Sequence, residues 1–137
     1  MKAIRVIILA IAVMMASGAM AQTVYNSSGS SCGRINSDGT VYDKGGSSIG
    51  RIYSDGTVND KGGSKIGRID RDGTFWDKGG SKIGWINSDG TVYEKSGSSI
   101  GRISSDGTVY NKSGSKIGTT QGVPREWVAA FFFFFFD

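Results

Sequence analysis

The chain has 137 residues, with 16 Lys and Arg against 12 Asp and Glu, 22 glycines, one proline, one cysteine and no histidine. Without histidine there can be no histidine-based triad and no histidine metal site, and a single cysteine excludes an internal disulfide. Basic and acidic residues alternate and form no positive track, which argues against a nucleic-acid partner.

Residues 1–21 have the order of a secretory signal peptide. Lys2 and Arg5 precede an apolar run from Val6 to Met15, and small residues end at Ala19-Met20-Ala21. Cleavage is expected before Gln22. The run is shorter than the ~20 residues a transmembrane helix needs. The expectation is an exported protein, periplasmic or extracellular, with no membrane span after cleavage. Its 14 basic and 12 acidic residues would leave a net charge of +2.

Residues 22–123 read as a β-repeat domain with a period of 17 residues. The copies are GRINSDGTVYDKGGSSI (33–49), GRIYSDGTVNDKGGSKI (50–66), GRIDRDGTFWDKGGSKI (67–83), GWINSDGTVYEKSGSSI (84–100) and GRISSDGTVYNKSGSKI (101–117). A unit this small must stack on its neighbours to bury its apolar face. Glycine-bearing turns between β-branched and aromatic residues predict short strands.

The turn at Ser37-Asp38-Gly39 can be typed from the faces. A two-residue loop would set Ile35 opposite Tyr42. A three-residue loop sets Ile35 opposite Val41, which puts both apolar side chains on one face. The second register is predicted, a type I turn with Gly39 in a left-handed bulge. The next turn, Lys44-Gly45-Gly46-Ser47, reads as looser. Beyond it, Ile49 and Ile52 lie three residues apart, so a bulge at Gly50 is expected to re-aim one of them.

The segment TVYNSSGSSC (23–32) is the second half of a repeat, and Gly118-Thr119-Thr120 looks like the start of one. Pairing of these halves would close the array and remove its open strand edges. Cys32 falls where the repeats carry isoleucine and is read as a small buried hydrophobe.

Residues 124–137 break the pattern. Pro124 suits a helix start, and REWVAA leads into Phe131–Phe136. Six phenylalanines are costly in water, each worth about 1.5–3 kcal/mol when fully buried. The segment is expected to plug or cover the ring.

The fold class is therefore all-β: a five-fold pseudo-symmetric radial array of short hairpins, closed by the chain ends, with a short C-terminal apolar helix or plug. The five-fold array of GRIxSDGTVYDKGGSSI units behind a signal peptide resembles the bacterial five-fold beta-flower proteins over residues 23–137. That resemblance implies a small radial all-β fold in an exported protein. It brings no functional residues with it. Arg is replaced in the fourth copy by Trp85, and the aromatic in the second by Asn59.

No catalytic, cofactor or metal residues are assigned. Asp38, Asp55, Asp72, Asp89 and Asp106 are explained by turn chemistry. Asp70-Arg71-Asp72-Gly73 lacks the further ligands and closing Glu of a calcium loop. The outward residues Arg34, Arg51, Arg68, Trp85 and Arg102, with Tyr42, Trp76, Tyr93 and Tyr110, read first as cross-strand pairs that stabilise the sheet, and are also candidate ligand contacts. Two functions fit. One is a non-catalytic module binding an envelope glycan, peptide or protein. The other is a structural protein assembling through its ring or its Phe-rich tail.

Overall fold

The computed structural model describes residues 21–136. The expected signal segment lies outside the described residues except for Ala21, as does Asp137.

Every repeat reverses direction twice through the same device. At the first turn the Gly39 amide donates to Asn36 O at 3.0 Å, and Gly39 has φ 94°. The register is Ile35 opposite Val41, as the face argument requires. Gly39 serves a second purpose. Its carbonyl accepts from the Ile52 amide of the next hairpin at 2.8 Å, and a Cβ at Gly39 would fall inside the Ile52 carbonyl. The same link recurs from Ile69 to Gly56, Ile86 to Gly73, Ile103 to Gly90 and Thr120 to Gly107.

The second turn is not loose, which corrects the expectation. Asp43 and Ser47 close a three-residue loop, with Asp43 N donating to Ser47 O at 2.9 Å. The Asp43 carboxylate reinforces it, its Oδ1 accepting from the amides of Gly45 and Ser47 at 2.9 and 3.0 Å. Asn26 and Asn111 do the same where the repeat departs from Asp. The Glu94 turn closes the same way, Glu94 N donating to Ser98 O at 3.0 Å, but through a glycine of positive φ alone.

The result is twelve strands: β1 (Ala21–Asn26), β2 (Ser31–Asn36), β3 (Thr40–Asp43), β4 (Ser48–Ile52), β5 (Thr57–Asp60), β6 (Lys65–Ile69), β7 (Thr74–Asp77), β8 (Lys82–Ile86), β9 (Thr91–Glu94), β10 (Ser99–Ile103), β11 (Thr108–Asn111) and β12 (Lys116–Thr119). All pairs are antiparallel between chain neighbours, except that β1 pairs β12 (Tyr25 opposite Thr119, Asn26 opposite Gly118) and closes a barrel. Five full repeats supply five Asp-Gly hairpins, and the two half-repeats at the chain ends supply a sixth pair, so the ring has six stations.

A bulge lies where β3 meets β4, one residue before the expected Gly50. Val41 is opposite Gly50 and Tyr42 is opposite Ser48, which leaves Ile49 as the extra residue. It turns Ile49 toward the interior together with Gly50 and Ile52. The inward residues therefore form tiers. One tier is Ile35, Ile52, Ile69, Ile86 and Ile103, with Thr120 in the sixth place. The next is Val24, Val41, Val58, Phe75, Val92 and Val109, all with no exposed surface. The third is glycine at 33, 50, 67, 84, 101 and 118. The fourth, half-buried, is Cys32 with Ile49, Ile66, Ile83, Ile100 and Ile117. Thr120 is the one buried polar side chain among the described residues, and its hydroxyl donates to Gly107 O at 3.1 Å.

The tail occupies the lumen. Helix α1 (Arg125–Ala129) enters at the Asp-Gly end, and Arg125 Nη2 donates to Ser88 O at 2.9 Å. Val128, Ala129 and Ala130 are fully buried, and the helix then widens into a π-helical turn over Ala130–Phe134. The six rings reach the six glycines in order. Phe131 covers Gly33, Phe132 Gly118, Phe133 Gly101, Phe134 Gly84, Phe135 Gly67 and Phe136 Gly50. An α-helix advances about 100° per residue, too much for one ring per station around six stations. The wider turn lowers that step. Phe135 N donates to Ala130 O at 2.9 Å and Phe136 N to the same oxygen at 3.2 Å. Phe75 replaces the valine of its tier and stacks on Phe134, with ring centroids 4.3 Å apart.

Candidate functional site

With the lumen filled by the chain's own tail, the surfaces left to meet a ligand are the outer wall and the two rims. The wall is built by the alternation of each strand, since Arg34 lies between the inward Gly33 and Ile35. The pairing predicted from the turn register is present: Arg34 opposite Tyr42, Arg68 opposite Trp76, Trp85 opposite Tyr93 and Arg102 opposite Tyr110. Arg51 stands opposite Asn59.

Five of the six stations keep a pair of their own, and the sixth sets Thr119 opposite Tyr25. The guanidinium of Arg34 lies 4.4 Å from the Tyr42 ring centre, that of Arg68 5.5 Å from Trp76, and that of Arg102 5.8 Å from Tyr110. Arg51, lacking an aromatic across the ladder, lies 4.6 Å from Tyr53 on its own chain segment. Trp85 stacks on Tyr93 at 5.1 Å and receives Lys82 Nζ at 4.3 Å on its ring. Sequence reasoning missed Tyr53 and Lys82. Tyr53 sits at a turn flank where other repeats carry a small polar residue, and Lys82 sits where two repeats carry serine.

The station at Arg68 is the most elaborate. Asp70 Oδ1 accepts from Arg68 Nε and Asp70 Oδ2 from Trp76 Nε1, both at 2.9 Å. The Trp76 indole, and then Arg68, hold the Asp70 carboxyl below the usual carboxylate range. This is a structural clamp, which accounts for Asp70 without a metal. No group of three or more potential metal ligands occurs among the described residues.

The wall is not fully satisfied. Arg34 Nε and Asn59 Oδ1 are buried atoms with no hydrogen-bond partner among the described residues. Tyr25, 41 % exposed, is the one large apolar side chain among the described residues that stands open. The candidate residues are thus joined two by two. They are distributed around the barrel and do not converge on one cleft.

Cys32 occupies the isoleucine tier, half-buried, and burial pushes its thiol up from the ordinary value. No helix among the described residues is long and apolar enough to cross a membrane. The model of the 5-fold beta-flower protein family matches residues 21–136. No curated protein and no solved structure matches the chain.

Proposed function

The chain belongs to the 5-fold beta-flower family, and we propose that it is an exported, non-catalytic binding module whose ligand is an extended envelope glycan. The observation that carries this reading is the repetition of one Arg-on-aromatic pair at Arg34–Tyr42, Arg68–Trp76 and Arg102–Tyr110 on the outer wall. A planar ring can stack on a sugar through the face its guanidinium does not cover, and the guanidinium offers donors to a carboxylate or hydroxyl.

Stations repeated around a rigid barrel suit a polymer. Each contact can be weak, because linked contacts raise the overall affinity through effective concentration. The rings of Phe131–Phe136 are engaged on the glycines, so the tail is read as scaffold and not as the binding element.

The test is retention of the protein on immobilised envelope glycans, beside the variant with Arg51, Arg68 and Arg102 changed to alanine. Retention by the parent and its loss in a variant of similar Tm supports the reading. Equal retention of the two, or no retention of either on any glycan, overturns it.

A further inference from the structure

The alternation of turns around the barrel sorts the charges by end. The eight lysines of the described residues, Lys44, Lys61, Lys78, Lys95, Lys112, Lys65, Lys82 and Lys116, all lie in the second turns or at the first position of the strands leaving them, and all are exposed. Four carboxylates share that rim: Asp43, Asp60, Asp77 and Glu94. The first three are bonded back to their own turn amides. The opposite rim carries Asp38, Asp55, Asp72, Asp89 and Asp106, joined by Asp70 and Glu126, against Arg71 and Arg125. One end of the barrel is net positive and the other net negative.

The two charged rings also match in spacing. The Asp ring occupies the β2–β3, β4–β5, β6–β7, β8–β9 and β10–β11 connections and is vacant where β12 meets β1. The Lys ring of 44, 61, 78, 95 and 112 occupies β3–β4, β5–β6, β7–β8, β9–β10 and β11–β12, and at β1–β2 carries Ser27. Each ring has five charges and one gap, and the same rotation of one strand step brings five onto five and gap onto gap. Translation along the axis keeps the sense of rotation, so this match exists for head-to-tail stacking. Head-to-head stacking would set like charges together.

We propose that copies of this chain associate head to tail, the Asp ring of one barrel seated on the Lys ring of the next. The carboxylates of Asp38, Asp55, Asp89 and Asp106 are fixed by the Thr amides at the i+2 positions, at 2.9–3.0 Å, so their ring is rigid before contact. One exposed ion pair contributes little. Five held in register by the same barrel act together. The contact is heterologous and leaves both terminal rings free, so growth is linear and open-ended unless the stack curves.

The inference is independent of glycan binding, because the wall arginines take no part. The test is sedimentation velocity of the protein expressed as the full chain and purified from the compartment it reaches. The sedimentation coefficient is expected to rise with protein concentration in ~0.01 M salt and to fall to the monomer value in ~1 M salt, where the screening length shrinks from about 30 Å to about 3 Å.

Two variants each remove one ring. Lys44, Lys61, Lys78, Lys95 and Lys112 become Gln in the first, and Asp38, Asp55, Asp72, Asp89 and Asp106 become Asn in the second. Asn keeps the turn acceptor, as Asn26 and Asn111 show at the other rim, and an unchanged Tm verifies the fold. Each variant alone is expected to be monomeric, and an equimolar mixture to stop at dimers. A parent that stays monomeric in low salt, a variant that assembles like the parent, or a mixture that forms no dimer overturns the proposal. So does assembly that appears only after anionic vesicles are added, which would place the Lys rim against a membrane.

Discussion

Phe131 occupies the space that a side chain on Gly33 would need: a Cβ there would lie 2.6 Å from Phe131 Cζ. The backbone oxygen of Tyr42 closes the other side at 2.7 Å. Gly33→Ala is therefore expected to lower stability by about 1–3 kcal/mol, the range for overpacking. Phe131, 7 % exposed, should cost about 3–5 kcal/mol when truncated to alanine. The two changes share one space, so a double-mutant cycle by urea unfolding should show a coupling of ~0.5–3 kcal/mol. Strict additivity would mean that the ring does not sit on the glycine.

Removing the tail empties the lumen. A chain ending at Val123 loses the buried Val128, Ala129, Ala130 and Phe131 and faces six glycines with no side chain behind them. Near-UV circular dichroism should lose its cooperative thermal transition, while strand content survives in part. A truncated chain that melts like its parent would show that the barrel stands without its plug.

The pH profile of stability should be flat where most proteins titrate histidine, because the chain has none. Hydrogen bonds from the amides of Thr40, Thr57, Thr91 and Thr108 hold Asp38, Asp55, Asp89 and Asp106 below the ordinary carboxylate value. With the folded value depressed, the unfolded chain binds more protons in the intervening window. The contribution is present above the unfolded value of about 3.9 and is lost as pH falls through the lower folded value. Tm measured by calorimetry should hold steady from about pH 8 to about pH 5 and fall below about pH 4. A step near about pH 6.5, the ordinary histidine value, would contradict the assignment.

Cys32 stands in a tier whose other five members are isoleucine. Cys32→Ile should leave Tm unchanged or raise it, since added buried methylenes contribute about 0.8 kcal/mol each. The parent thiol should alkylate slowly below pH 8, because burial raises its pKa and the thiolate is the nucleophile. A large loss of stability in Cys32→Ile would show that the thiol has a role of its own.

The parts of the fold that a period of two controls were legible from the residues. Ile35 and Val41 had to share a face, and that choice set the turn and the outward Arg34–Tyr42 pair, while the bulge expected at Gly50 falls one residue earlier, at Ile49. The tight second turn was less visible because its closure rests on a positive φ at Gly46, with the Asp43 side chain adding bonds to its own loop, and Lys-Gly-Gly-Ser suggests looseness when taken alone. The matching of Phe131–Phe136 to six glycines leaves a numerical trace, six against six. Which ring meets which glycine depends on how a π-helical turn sits in a closed lumen, and no local pattern encodes that. At the outer wall, cross-ladder partners followed from register, whereas Tyr53 and Lys82 reach sideways along the surface and follow no ladder rule.

The seam between β1 and β12 has a consequence in time. Every other strand pair joins segments made one after another, so all eleven hairpin turns can form as soon as their residues emerge. Tyr25 must wait for Thr119, and the lumen must wait for the phenylalanines after it. Until then the chain is an open ladder with two bare edges and an unfilled interior. Closure and filling are the slow, long-range steps against a background of fast local ones. A chain built in this order reaches its final topology only after residues 118–136 have been released, and a stall before Gly118 leaves a soft, edge-exposed ribbon.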